Sequence, residues 1–177
     1  MAARITNIVA SVTLDCTLCY ETLLLSRSVY EMEYTPARFS GVLIRLAVPL
    51  KSHCRVYHNG KMTINGAKTV EGAHLLAELY CTIIRACGYI TARVSDFKVV
   101  NIVASVNFGQ RLNLYTLQKA LEQHCIYEPE RFPGLSIKLS EATCVIFQSG
   151  KCNILRAKGE LDIQATVLEL DILAGLC

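Results

Sequence analysis

The sequence predicts an α/β fold built from two copies of one unit, and three observations lead there. The hexapeptide Asn-Ile-Val-Ala-Ser-Val occurs twice, at Asn7–Val12 and Asn101–Val106, 94 positions apart. Each copy then shows alternating strand patterns followed by an apolar stripe at helical spacing. The composition, 52% hydrophobic and 19% charged, suits a chain that buries a core. The match extends well past the hexapeptide. Tyr34-Thr-Pro-Ala-Arg-Phe39 answers Tyr127-Glu-Pro-Glu-Arg-Phe132, Asn59-Gly-Lys61 answers Ser149-Gly-Lys151, and Ala67-Lys68 answers Ala157-Lys158. The repeats divide as 1–94 and 95–177, together forming one domain.

Residues 5–14 alternate as a strand, with Thr6, Ile8, Ala10, Val12 and Leu14 on one face. The other face carries Ile5, Asn7, Val9, Ser11 and Thr13, small and only partly polar, where a solvent face would carry Lys and Glu. Residues 17–29 are expected as a helix, with Leu18, Thr22 and Leu25 aligned. Val42 to Val48 is the next strand. Cys54–Tyr57 and Lys61–Gly66 form a hairpin around His58-Asn59-Gly60. Thr69 caps a long helix over 69–87, whose stripe is Leu76, Leu79, Tyr80, Ile83, Ile84 and Cys87, and Gly88 ends it. The second copy repeats the order: a strand through Asn101–Asn107, a helix over 113–124, strands at 135–139, 142–147 and 151–156, and a helix over 160–174.

Each unit is thus strand, short helix, three or four strands, long helix. The helices cover one sheet face and leave none for the other. Two such sheets joined edge to edge predict one curved antiparallel sheet, a saddle of two pseudo-symmetric repeats with helices on its convex side. Alternation places Asn7, Val9, Ser11, Phe39, Arg45, Arg55, Tyr57, Lys61, Thr63 and Asn65 on the bare face of the first copy. The second contributes Asn101, Val103, Ser105, Phe132, Lys138, Val145, Phe147, Lys151, Asn153 and Leu155. Amides that donate, flat aliphatic residues, aromatic pairs at strand ends and a cationic rim suit the DNA minor groove. That groove offers adenine N3 and thymine O2 as acceptors and, at G·C pairs, a protruding amine. Lys and Arg would hold the phosphates.

These motifs resemble the conserved core of the TATA-box binding protein (TBP) family and its TBP-related factors, over essentially the whole chain. They are Asn7-Ile-Val, Tyr34 to Phe39, Asn59-Gly-Lys61, Gly66-Ala-Lys68, Asp96-Phe-Lys98, Asn101-Ile-Val, Tyr127 to Gly134 and Ile146 to Lys151. The family is itself the type example of apolar wedges that kink a duplex from its minor groove. The resemblance implies DNA intercalation by Phe39, Tyr57, Phe132 and Phe147, with Tyr57 departing from the family's phenylalanine. It implies base-edge contacts from Asn7, Val9, Asn65, Asn101, Val103 and Val145. Arg45, Lys61, Lys68, Lys138, Lys151 and Lys158 match phosphate positions. Glu128 and Glu130 match acids that contact a TFIIB-like initiation factor, with Arg131 replacing a leucine beside them.

The chain departs from the family's pattern at several places. Leu155 stands where the family has a hydrogen-bonding threonine, Arg55 replaces an aliphatic groove contact, and Thr63 and Asn153 are more polar than usual. Arg85 is the sole strong base of the long helix. The first reading is therefore a general initiation factor that binds and bends A·T-rich promoter DNA, with other general initiation factors as partners. The alternative is an assembly platform with relaxed DNA recognition. Homodimerisation of the free protein through the bare face is expected from its apolar area.

Charge is unevenly spread. Residues 1–94 carry ten Lys/Arg against six Asp/Glu; residues 95–177 carry eight against nine. The first copy favours a polyanion and the second adds nothing net. Of nine cysteines, Cys16 and Cys19 alone form a C-x-x-C pair, without a second pair or histidines at ligand spacing. Reduced thiols in a nuclear or cytosolic protein are expected, the resemblance implying the nucleus, and no cofactor is expected. The sequence holds no P-loop, G-x-S-x-G or H-E-x-x-H, so no enzyme class is indicated. No apolar run nears membrane-spanning length, no membrane role is expected, and the N-terminal residues lead directly into the first strand.

Overall fold

The computed structural model describes residues 1–121 and 124–175. Packing gathers the chain into two compact units, Asn7–Val100 and Met1–Thr6 with Asn101–Cys177. The boundary of packing is therefore not the boundary of the sequence repeat, because the first six residues pack with the second copy.

The Asn7–Val100 unit takes most of β1 (Arg4–Leu14), then α1 (Tyr20–Leu24), β2 (Glu31–Glu33), β3 (Val42–Leu46), β4 (Ser52–Val56), β5 (Lys61–Ala67) and α2 (Val70–Ala86). Its strands lie antiparallel in the order β2-β3-β4-β5-β1. Alternation sends Ile8, Ala10, Val12, Leu14, Ile44, Cys54, Met62 and Ile64 to one face, each 0–1% exposed. The fully buried Leu76, Tyr80 and Ile84 of α2 belong to the same core. Complete burial of such a side chain stabilises by roughly 1.5–3 kcal/mol. A polar pair in that core is satisfied internally, since the hydroxyls of Ser52 and Tyr80 pair at 3.0 Å. Burial pushes the Tyr80 phenol up to about 12. Thr69 caps α2 as its sequence predicts, accepting from the Gly72 N–H at 3.0 Å, and Gly88 follows the helix at φ +106°.

The second unit repeats the plan with the end of β6 (Val94–Asn107), α3 (Leu114–Leu121), β7 (Cys125–Ile126), β8 (Gly134–Lys138), β9 (Thr143–Phe147), β10 (Lys151–Ala157) and α4 (Glu160–Ala174). Its strand order is β6-β10-β9-β8-β7. Ile102, Ala104, Leu135, Cys144, Ile146, Cys152, Ile154 and Leu170 form its core. Asn113 Oδ1 caps α3 through the Tyr115 and Thr116 N–H groups. The Asp162 carboxylate accepts from the backbone of Lys158 and Gly159 at the start of α4.

Some elements differ from the sequence reading. The helix expected over 17–29 is confined to Tyr20–Leu24, because Ser26 and Arg27 donate three residues back, to Leu23 and Leu24, and tighten the chain out of the helix. Leu18 and Leu23 are its buried contributors; Leu25 is 82% exposed. The strand from Val42 stops at Leu46, leaving Val48 exposed. The helix expected over 113–124 is described as Leu114–Leu121, and its residues 122 and 123 lie outside the described residues. The short edge strands β2 and β7 are too brief to show a period. Cys54, Cys81, Cys87, Cys144 and Cys152 are buried thiols. Cys16 and Cys19 keep some exposure, and Cys19 Sγ lies 2.9 Å from Glu21. No described helix is long and apolar enough to cross a membrane.

Candidate nucleic-acid interface

The face opposite each core is built by register. In Asn7–Val100 one rung runs Glu33, Leu43, Arg55, Thr63, Ser11, and the next runs Glu31, Arg45, His53, Asn65, Val9. The matching rungs of the other unit are Ser136, Val145, Asn153, Ser105, and Lys138, Thr143, Leu155. Asn7, Val9, Ser11, Asn101, Val103 and Ser105 are all part-exposed beside fully buried neighbours on the other face. Leu43, His53, Ser136 and Thr143 share this surface but were not singled out from sequence. Their signal was the same period of two that marked Arg45, Arg55, Lys138 and Val145. Burial lowers the pKa of the His53 imidazole from its ordinary 6.5, and the Arg45 and Arg55 cations push it the same way.

The two asparagines are held alike. Asn7 Oδ1 accepts the Gly66 N–H at 2.8 Å, and Asn101 Oδ1 accepts the Arg156 N–H at 2.9 Å. A backbone N–H can only donate, so each side-chain oxygen is committed to the sheet. Each amide NH2 makes no hydrogen bond among the described residues and keeps both its donors available on a part-exposed side chain. Both contacts sit at irregularities of strand register, between Ile8 and Val9 in β1 and between Ile154 and Ala157 in β10. The positions are Gly66 at φ +117° and Arg156 at φ +69°. The second copy thus places a non-glycine residue in the left-handed region that glycine fills in the first.

The four aromatics divide by copy. Phe39 and Phe132 end equivalent turns, their N–H groups donating to Thr35 and Glu128 carbonyls. Phe132 meets Phe147 edge to face, with centroids 6.0 Å apart and planes at 64°. Gly134 makes room for them, since a Cβ there would stand 2.8 Å from Phe132 and 3.1 Å from Phe147. Phe39 instead carries the Arg55 guanidinium, with Cζ 3.7 Å from its centroid. Tyr57 is part-buried at the end of the β4–β5 hairpin and borders a hollow of about 510 Å³ with Tyr20, Asn59 and Lys61. Phe39 and Phe132 remain about half exposed, 55% and 49%.

The cations also divide. Gly60 and Gly150, at φ +76° and +84°, turn the hairpins and set Lys61 and Lys151 at the starts of β5 and β10. Lys61, Lys68, Lys138, Lys151 and Lys158 are exposed, and their ammonium groups make no ion pair among the described residues. Arg45 does: its guanidinium bonds Glu31 at 3.2 Å and Glu33 at 2.9 Å. The Arg45 hydrogen bond, then that of Thr35, holds the Glu33 carboxyl below its ordinary 4.5. Sequence reasoning grouped Arg45 with the lysines because the acids on β2 were not read as its neighbours. In the turn before Phe132, Arg131 pairs with Glu128 at 3.2 Å, while Glu130 is exposed and makes no ion pair among the described residues.

Fold and surface together define a two-repeat α/β protein in which each unit carries a sheet-anchored asparagine, aromatic rings and cations on the sheet face opposite its core. The comparisons with known proteins name its kin. The family model described as transcription factor TFIID (or TATA-binding protein, TBP) matches residues 2–87 and 96–171. The chain belongs to that family. TATA-box-binding protein-like 1 of Entamoeba histolytica is 38% identical over 149 residues, covering 83% of this chain and 67% of that protein. The TATA-box-binding protein of Saccharomyces cerevisiae is 36% identical over 159 residues, covering 89% of this chain and 65% of its own. The solved structure of Methanococcus jannaschii TBP superposes over 100% of both chains with TM-score 0.82 at 28% identity. The chain spans 56–67% of the length of the three relatives it matches first. The expected TBP-like α/β fold is shown.

Proposed function

We infer that this chain binds A·T-rich duplex DNA through the minor groove, bends it, and serves in the nucleus as a transcription initiation factor. The oriented asparagine pair carries the reading. Asn7 and Asn101 each engage their oxygen in the sheet and keep two donors unpaired among the described residues, which suits a groove floor of adenine N3 and thymine O2 acceptors. Val9, Val103 and Val145 fill the space that a guanine amine would need, and Asn65 adds a further amide. Phe39, Tyr57, Phe132 and Phe147 are the wedges, a device for which this family is the type example. Lys61, Lys68, Lys138, Lys151 and Lys158 hold phosphates directly; Arg45 does so only on leaving Glu31 and Glu33. The role is binding and not catalysis.

Glu130 is the acid best placed to meet a TFIIB-like factor, because Glu128 is already partnered by Arg131. Homodimerisation of the free protein through the same open face follows from its part-exposed apolar residues.

A second reading, an assembly platform with relaxed DNA recognition, draws on Leu155, the Arg45 clamp and the covered Phe39 ring. One titration separates the two. Under the first reading a TATA-like duplex binds more tightly than a G·C-rich one at moderate salt, and Phe132→Ala with Phe147→Ala reduces bending and affinity together. Equal binding of the two duplexes refutes it.

A further inference from the structure

The two repeats differ in charge at the residue beside the first wedge. Arg55 in the first copy takes the position of Val145 in the second. Both lie on the open face, Arg55 between Leu43 and Thr63, and Val145 between Ser136 and Asn153. A cation here needs a partner, and the acids of this sheet edge are taken. Glu31 and Glu33 both bond Arg45, and Arg55 makes no ion pair among the described residues. Its guanidinium rests on the Phe39 ring, 3.7 Å from the centroid. Its stem lies over Gly41, where a Cβ would stand 2.8 Å from Arg55 Cγ. In the second copy Val145 lies against Gly134 in the same way but carries no charge, and Phe132 meets Phe147 instead.

We propose that Arg55 is a gate and reader of the first repeat, covering Phe39 in the free protein and leaving the ring for the groove when DNA binds. The inference rests on the minor-groove reading above. Two chemical facts make the move selective. The guanidinium covers one of the two faces of the Phe39 ring, so a ring that is to lie between two base pairs must first shed Arg55. A guanidinium carries only donors, so it gains partners over A·T pairs and meets the opposing amine over G·C pairs. Arginines enter narrow A·T-rich grooves for the same reason and because the potential there is strongly negative. Covering an exposed ring is worth roughly a two- to fivefold bias, small enough for the groove to overcome. Release of Phe39 is thereby tied to the base composition beneath Arg55, whereas the Phe132–Phe147 pair has no such condition.

The test uses the full chain with Arg55→Val, Arg55→Met and Arg55→Lys against A·T-rich and G·C-rich duplexes. Each duplex carries 2-aminopurine at either end step to report unstacking. In the unsubstituted protein, unstacking at the Phe39 end is expected on the A·T duplex alone. Arg55→Val should permit it on both and lower the A·T to G·C affinity ratio by about fivefold or more. Its salt slope should become shallower by about 0.9. Arg55→Met keeps the stem over Gly41 and should behave like Arg55→Val; Arg55→Lys should restore the slope but only part of the ratio. An unchanged ratio and slope in both Arg55→Val and Arg55→Met, with duplex binding intact, overturns the gate alone. Absence of duplex binding by the unsubstituted chain overturns the minor-groove reading and the gate with it.

Discussion

Replacing Asn7 and Asn101 by aspartate separates what these side chains do for the sheet from what they do for a ligand. Each oxygen accepts one backbone N–H, at 2.8 and 2.9 Å. Aspartate keeps that acceptor, so Asn7→Asp should melt close to the parent. Asn7→Ala leaves the part-buried Gly66 N–H unpaired, at about 1–2 kcal/mol. For a chain of this size that lowers Tm by roughly 2–8 °C. The order reverses on DNA. Aspartate turns an acceptor, with charge, toward acceptors on the groove floor and forfeits a base-edge hydrogen bond. Asn7→Asp should lose at least about tenfold in affinity for an A·T duplex at unchanged Tm. Calorimetric melting and fluorescence anisotropy with a labelled duplex measure the two quantities. Parent-like affinity in both Asn7→Asp and Asn101→Asp, or a melting loss equal to that of alanine, refutes the argument from orientation.

Arg156→Gly should raise stability by roughly 0.5 kcal/mol, the relief of left-handed strain at φ +69° less the freedom glycine returns to the unfolded chain. Gly66→Ala should lower it by more than 1 kcal/mol, roughly, because a Cβ there would stand 2.6 Å from the Lys51 carbonyl oxygen; denaturant midpoints check both. Glu31→Gln with Glu33→Gln should free Arg45 and steepen the salt dependence of duplex binding by up to about 0.9. The folded-state pKa of Glu33 is depressed, so its stabilisation is fully present above pH 4.5 and is lost as pH falls through the lowered value. Glu33→Gln should remove that segment of the Tm-against-pH curve, and an unaltered curve would discount the pair.

The long elements were legible where each carries several turns or alternations of one pattern: β1 and α2 emerge close to their read bounds, while β6 begins at Val94, seven residues ahead of the Asn101 read from sequence. α1 was overread because Leu25 falls at helical spacing from Leu18, although no core remains for it to enter. β2 and β7, of three and two residues, exist through pairing with β3 and β8, which no local pattern records. The same holds at the surface. Duplication exposed Asn7 with Asn101, the paired rings, and Lys61 and Lys68 with Lys151 and Lys158, since each was seen twice. The Arg45 clamp, the Arg131–Glu128 pair and the Arg55–Phe39 stack occur once each and depend on which side chains neighbouring segments bring together.

The packing of Met1–Thr6 with Asn101–Cys177 has a practical side. A fragment cut at the duplication, beginning at Ser95, would lack the Thr6 hydroxyl that donates to the Val103 carbonyl at 3.1 Å. It would also bare the hollow of about 590 Å³ where Met1, Ala3 and Ile5 face Ile163, Val167 and Leu168. The half that looks self-sufficient on paper would thus be an unfinished object. Anyone wishing to study it alone should graft the opening six residues back, for instance by a permuted chain.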